Sequence, residues 1–171
     1  MGVKTRVFIH GLESTGQGAK GVFFRERYPA MLIEDFTGPL GERMGKLASL
    51  LVEKEDLILV GSSYGGLMAA LFAYGHTERM RRLILLAPAL HLPDFAPYVG
   101  RRLHIPVTIY HGSSDDIVPP VTVRRIAEAS FPDLTYHPVD DDHSLHRVFS
   151  GLPWDELLEG SASGREEATS P

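Results

Sequence analysis

The stretch "DLILVGSSYGGLMAALFAYG", residues 56–75, decides the architecture. After its leading aspartate the first part, 57–61, is apolar or glycine throughout, as expected of a strand covered on both faces of a parallel sheet. The second part places Leu67, Ala70, Leu71 and Tyr74 on one helical face. Between them stands Gly61-x-Ser63-x-Gly65. A serine on so abrupt a strand-to-helix turn is held in strained backbone geometry with its hydroxyl projecting. Glycines two residues to either side let strand and helix approach without Cβ clashes. The helix start adds unpaired N–H groups and positive potential where negative charge would develop. The pattern alone is weak, and it is the strand before and helix after that give it weight. The plainer alternative is that both glycines only tighten a βα turn and Ser63 only caps the helix. Ser62 lacks the flanking glycines and ranks behind Ser63 as a nucleophile.

Outward from this unit, apolar β-branched runs alternate with amphipathic stretches, the pattern of βα units on a parallel sheet. Strands are expected at 6–10, 30–35, 56–61, 82–87, 107–111 and 134–138, with helices at 17–28, 41–54, 64–76 and 120–130. A last helical patch covers 144–159, interrupted by Gly151 and Pro153. The proline-rich segment 88–106 reads as a loop with one short helix, too small for a separate lid domain. The expected fold is a three-layer α/β/α sandwich on a mainly parallel sheet of about six strands. One domain is expected over 1–159, followed by a small, polar tail at 160–171.

A serine hydroxyl is a poor nucleophile at neutral pH and requires a base that is itself oriented by a carboxylate. Both partners occur downstream. "VTIYHGSSDDIVPP" puts Asp115 and Asp116 on the loop after a strand, and "DDDHSLHRVF" puts His143 after the last strand. Each has a bland rival: the aspartates as caps of the helix starting near Pro119, and His143 with His146 and Asp140–Asp142 as a metal cluster. His10 and His111, at strand ends, read as structural or supporting residues.

His10-Gly11 after the first strand, "GSSYGG" at 61–66, "HGSSDDIVP" at 111–119 and "DDHS" at 141–144 together resemble the α/β-hydrolase superfamily, in particular its small, lidless bacterial esterases. The resemblance runs from about residue 5 to residue 150. It implies Ser63 as nucleophile, His143 as base and Asp115 as the acid, because the family's H-G-x-x-D-x-x-V-P stretch ends on Val118 and Pro119. Asp116 falls outside that pattern. The family's H-G-x segment further implies an oxyanion hole built from the backbone N–H groups of Leu12 and Tyr64.

The loop "HGLESTGQGAKG" at 10–21 also invites a nucleotide reading. Gln17 and Gly18 stand where a phosphate loop needs lysine and a hydroxyl residue, and Glu13 would repel phosphate. The dinucleotide pattern appears as Gly16-x-Gly18-x-x-Gly21, but it starts six residues beyond His10 instead of directly after the strand. The oxyanion reading asks only that Gly11 let the backbone turn beside Ser63. It leaves Ser14 and Thr15 at a pocket rim, Lys20 on the surface of the first helix, and the later glycines as slack.

Composition narrows the field. The chain has 171 residues, 43% hydrophobic and 23% charged, with a net charge of −5. That balance argues against a nucleic-acid partner, which requires clustered cations. The densest cluster, Arg79, Arg81 and Arg82, reads as a solvated corner before a strand. There is no cysteine, hence no disulfide and no thiolate nucleophile. No run approaches the roughly eighteen apolar residues of a membrane helix, and the N-terminus has no signal-like apolar region. The expectation is therefore a cytoplasmic, cofactor-free and metal-free serine hydrolase, a monomer or small homo-oligomer, cleaving small acyl esters or thioesters. Glu13, Leu90, Leu92, Phe95 and Tyr98 are the expected pocket walls. The alternatives are a hydrolase-like binding module without activity and a nucleotide-binding protein using the 11–21 loop. Peptidase and acyltransferase chemistry share the same constellation.

Overall fold

A computed structural model describes residues 2–159. The proposed tail at 160–171 lies outside the described residues.

Six strands form one sheet: β1 (Thr5–Ile9), β2 (Leu32–Ile33), β3 (Leu57–Ser62), β4 (Met80–Leu86), β5 (Val107–Gly112) and β6 (Leu134–Val139). Their spatial order is β2-β1-β3-β4-β5-β6, and all five pairings are parallel. Parallel neighbours require crossovers. Among the described residues five α-helices flank the sheet: α1 (Ala19–Arg27), α2 (Leu40–Leu50), α3 (Tyr64–Gly75), α4 (Pro120–Ser130) and α5 (Trp154–Glu159).

The period-two alternation of the strands divides the core into two layers. Val7, Ile9, Leu57, Leu59, Leu83, Leu85, Val107 and Ile109 face α2, α3 and α4. Phe8, Ile58, Val60, Ile84, Leu86 and Tyr110 face α1 and α5. The second layer is closed by aromatic rings. Trp154 is fully buried, 4.8 Å from Phe24 and 5.1 Å from Phe149 between ring centroids, and its Nε1–H donates to the Phe149 carbonyl at 2.7 Å. The short α5 is thus fixed by a side chain whose burial contributes about 1.5–3 kcal/mol.

Three elements depart from the sequence expectation. The strand expected at 30–35 shrinks to two residues, because β2 is an edge strand paired only with β1, and Asp35 turns away to accept the Gly16 N–H at 2.6 Å. Helix α2 stops at Leu50 rather than 54, and Glu53 takes a positive φ of 59°. The 144–159 patch splits into a 3-10 turn, Phe149–Gly151, and α5, separated at Leu152 and Pro153. The arginine corner is tied rather than freely solvated: Arg79 donates to the Lys54 carbonyl, and Arg81 pairs with Asp56 through two hydrogen bonds of 2.5 and 3.0 Å. Between β4 and β5 there is one 3-10 segment, Pro93–Tyr98, and no α-helix. Among the described residues no helix is long and apolar enough to cross a membrane.

Candidate active site

Ser63 sits between β3 and α3 with φ 53° and ψ −113°, a left-handed conformation that a side-chain-bearing residue adopts only under constraint. The constraint is packing. A Cβ on Gly61 would collide with the Gly65 carbonyl and the Gly66 Cα, and one on Gly65 would collide with the carbonyls of Ile9 and His10 at the end of β1. The turn is therefore pressed against both its own helix and the neighbouring strand, and Ser63 projects from it. Its N–H donates to the Leu86 carbonyl at 2.9 Å, which fastens the turn to the end of β4.

Asp115 follows β5 and His143 follows β6, so the sheet ends carry both to the same edge as Ser63. His143 Nδ1–H donates to Asp115 Oδ2 at 2.8 Å, and His143 Nε2 faces Ser63 Oγ at 3.1 Å. The carboxylate fixes the tautomer, leaving the Nε2 lone pair toward the hydroxyl. Asp115 Oδ1 accepts the N–H groups of Ile117 and Val118 at 2.9 and 2.8 Å. Burial pushes the Asp115 carboxyl up, but the hydrogen bonds from His143, Val118 and Ile117 outweigh it and hold the group below its ordinary value. The acid is thus an anion with all its bonds made. Asp116 points to solvent.

A cavity of about 590 Å³ opens at Ser63 and His143, and Leu12 and Tyr64 also line it, while Asp115 lies buried behind His143. Among the described residues neither the Leu12 nor the Tyr64 N–H has a hydrogen-bond acceptor. The Leu12 turn is held from behind by His10, whose Nδ1–H donates to the Gly11 carbonyl at 2.7 Å while Nε2 accepts the Phe36 N–H at 2.8 Å.

Several chains of known structure share this frame. Mouse alpha/beta hydrolase domain-containing protein 10 is 22% identical, covering 82% of this chain and 82% of its own, with a TM-score of 0.68. Est1E from Butyrivibrio proteoclasticus is 17% identical, covering 92% of this chain and 86% of its own, with a TM-score of 0.74. The monoacylglycerol lipase of Paleococcus ferrophilus is 18% identical over 92% of this chain and 97% of its own, at a TM-score of 0.68. The chain has the α/β-hydrolase fold. No protein-family model and no curated protein matches the sequence.

Within this α/β-hydrolase fold the expected pocket walls divide. Glu13 and Leu92 line the cavity. Leu90 and Phe95 do not: they are buried in the core layer that faces α2, α3 and α4, and Tyr98 packs there against Tyr74 and Phe95. Apolar residues in a turn satisfy the nearest core, and the 3-10 segment tucks these beneath the sheet end. Ile117 and Val118, from the loop that carries Asp115, line the cavity in addition to Leu92.

Lys20, His91 and His146 escaped the sequence reading as cavity residues, and His111, read as structural or supporting, contacts Asp115. Lys20, expected on the surface of α1, lines the cavity and donates from Nζ to the Ser144 carbonyl at 2.6 Å. His91 and His146 line it too. His91 leaves its buried Nδ1 unpartnered, and burial pushes its imidazole down. His111, fully buried, aims Nε2 at two oxygens, Asp115 Oδ2 at 3.0 Å and the Val118 carbonyl at 3.1 Å. Nε2 must therefore carry the proton, and burial keeps the ring neutral by pushing it down. The i, i+4 spacing of His111 and Asp115 across a strand end was a usable signal. Nothing in the sequence links Lys20 to Ser144, 124 residues away.

Three amides in the middle of the 11–21 loop are spent on protein acceptors. Gly16 N–H goes to Asp35 Oδ1 at 2.6 Å, Gly18 N–H to the Thr15 carbonyl at 3.1 Å and Gln17 N–H to Thr15 Oγ1 at 3.1 Å. A carboxylate thus occupies a position that a nucleotide phosphate would need. Asp141, the buried acid of the supposed metal cluster, accepts the N–H groups of Asp142, Arg147 and Val148, so its oxygens shape the turn after His143.

Proposed function

We propose that this protein is a serine hydrolase that cleaves carboxylic esters or thioesters of small acyl groups through Ser63, His143 and Asp115. The observation that carries the reading is the chain of contacts from Asp115 Oδ2 through His143 to Ser63 Oγ, 2.8 and 3.1 Å long, at the wall of a cavity. Both distances lie within hydrogen-bond reach for a nucleophile and its base.

Ser63 Oγ attacks the acyl carbonyl while His143 Nε2 takes its proton. The resulting imidazolium is stabilised by the Asp115 carboxylate, which remains ionised. The carbonyl oxygen becomes an oxyanion facing the free N–H groups of Leu12 and Tyr64. Each such donor typically contributes about 2.7–4 kcal/mol to the transition state. The bond to the leaving group breaks, His143 returns the proton to the departing oxygen or sulfur, and water activated by the same histidine releases the acid. No step calls for a cofactor.

The strained Ser63 backbone supports this over helix capping, since its side chain makes no cap hydrogen bond to α3. The single 3-10 segment over 88–106, too short for a covering domain, favours an open site for small acyl groups. A structural neighbour, the Paleococcus ferrophilus protein, is itself a monoacylglycerol lipase. The reading is tested with a short p-nitrophenyl ester. Ser63→Ala is expected to lower kcat/KM by roughly 10⁴-fold or more, and full activity in the purified variant would overturn it.

A further inference from the structure

The cavity is mostly apolar, walled by Phe8, Leu12, Ala19, Leu92, Ile117 and Val118. Into this wall projects one ammonium group. Lys20 Nζ is held at 2.6 Å from the Ser144 carbonyl, next in the chain to His143, and stands 5.4 Å from the centroid of the Phe149 ring. One of its three N–H bonds is used there, and the other two have no acceptor among the described residues.

A surface lysine in this setting would be expected to find a carboxylate. Among the described residues none lies within 4 Å of Lys20 Nζ. The nearest acids are engaged elsewhere. Asp141 is saturated by three backbone N–H groups, and Asp142 Oδ1 accepts both the N–H and the Oγ–H of Ser144. Glu13, the acid on the cavity lining, is exposed. Burial pushes the Lys20 ammonium down, and Asp141 and Asp142 offset this only in part. The cation is partly buried, held at the cavity lining by the Ser144 carbonyl, and left with two N–H bonds that have no acceptor among the described residues.

We propose that Lys20 forms a carboxylate subsite of the cavity, so that the preferred substrates are esters carrying a carboxylate on either the acyl or the alcohol part. The proposal rests on the serine hydrolase reading of Ser63. A single cation with two free N–H bonds matches a monoanion with two acceptor oxygens. A phosphate dianion would need a second cation, and the remaining lining bases are imidazoles. The charge-assisted bond forms in a largely apolar setting, where it discriminates more strongly than at an open surface.

The test uses two matched pairs at low ionic strength. The alcohol-side pair is 4-acetoxybenzoate against its methyl ester, and the acyl-side pair is monoethyl glutarate against ethyl pentanoate. The quantity read is the ratio of kcat/KM for the charged member to that for the neutral member. In one of the pairs this ratio is expected to fall about tenfold or more in Lys20→Met and Lys20→Gln, and Lys20→Arg is expected to retain most of it. The pair in which it collapses assigns the side of the subsite. Ratios unchanged in both neutral variants would overturn the subsite while leaving the hydrolase reading intact. Absence of hydrolysis of every ester by the wild type, with Ser63 unlabelled by a fluorophosphonate, would overturn both.

Discussion

At the scale of single residues, the unusual feature is that one carboxylate oxygen, Asp115 Oδ2, receives hydrogen bonds from two histidines in different environments. His143 is partly exposed at the cavity, whereas His111 is sealed behind it. His111 is kept neutral in the fold, and this has a thermodynamic consequence. Its folded value lies below the ordinary histidine value near 6.5, so both states are neutral above that pH and the fold keeps its full stability. As pH falls below about 6.5 the unfolded chain takes up a proton that the folded chain refuses, and stability is lost. His111→Gln retains an N–H donor toward Asp115 but cannot titrate. Its unfolding free energy, from denaturant curves at pH 7 and 5.5, is expected to fall less over that interval than that of the wild type. Equal falls in the two proteins would show that His111 does not carry the effect. His91, also pushed down by burial, accounts for a residual slope.

At the scale of elements, the first loop and helix reverse the weight that the sequence puts on the glycines. Gly11 looked indispensable for the turn beside Ser63. A Cβ there would lie 3.4 Å from the Ser62 carbonyl oxygen and from Ser63 Cβ, which is ordinary contact. Gly21 looked like slack. Its Cβ would run into the Gly16 carbonyl, so α1 docks against its own leading loop only if residue 21 has no side chain. Gly21→Ala is expected to destabilise the protein by about 1–3 kcal/mol through overpacking, with Gly11→Ala costing less, both measured by denaturant unfolding. The reverse order would contradict this packing. The same junction carries Lys20 to the cavity lining, so the helix start and the candidate site share one constraint. Which glycine is required was not legible because it depends on how closely two chain segments approach, and local sequence carries no such distance. The turn at Ser63 was legible because strand, serine and glycines are contiguous in the chain, although the approach that requires Gly65 comes from Ile9 and His10 at the end of β1.

At the scale of the whole molecule, the parallel sheet, its six strands and the flanking helices could be read from alternation of apolar runs, since the inner strands β3, β4 and β5 are covered on both faces along most of their length and therefore written largely in apolar residues. The strand order gathers the ends of β3, β5 and β6, so Ser63, Asp115 and His143 meet although up to 80 residues separate them. Their order in the chain was visible beforehand. The cavity was visible only in part, through Glu13 and Leu92, because walls such as Ile117 and Lys20 are chosen by loop geometry, while Leu90 and Phe95, equally apolar in sequence, go into the core. On the proposed function this convergence makes Ser63 the nucleophile. That assignment is tested most directly by treating the intact protein with a fluorophosphonate and locating the adduct by peptide mass spectrometry. A single phosphonylated residue, Ser63, is expected, with labelling strongly slowed in His143→Ala. No adduct, or an adduct on another residue such as Ser62, would contradict it.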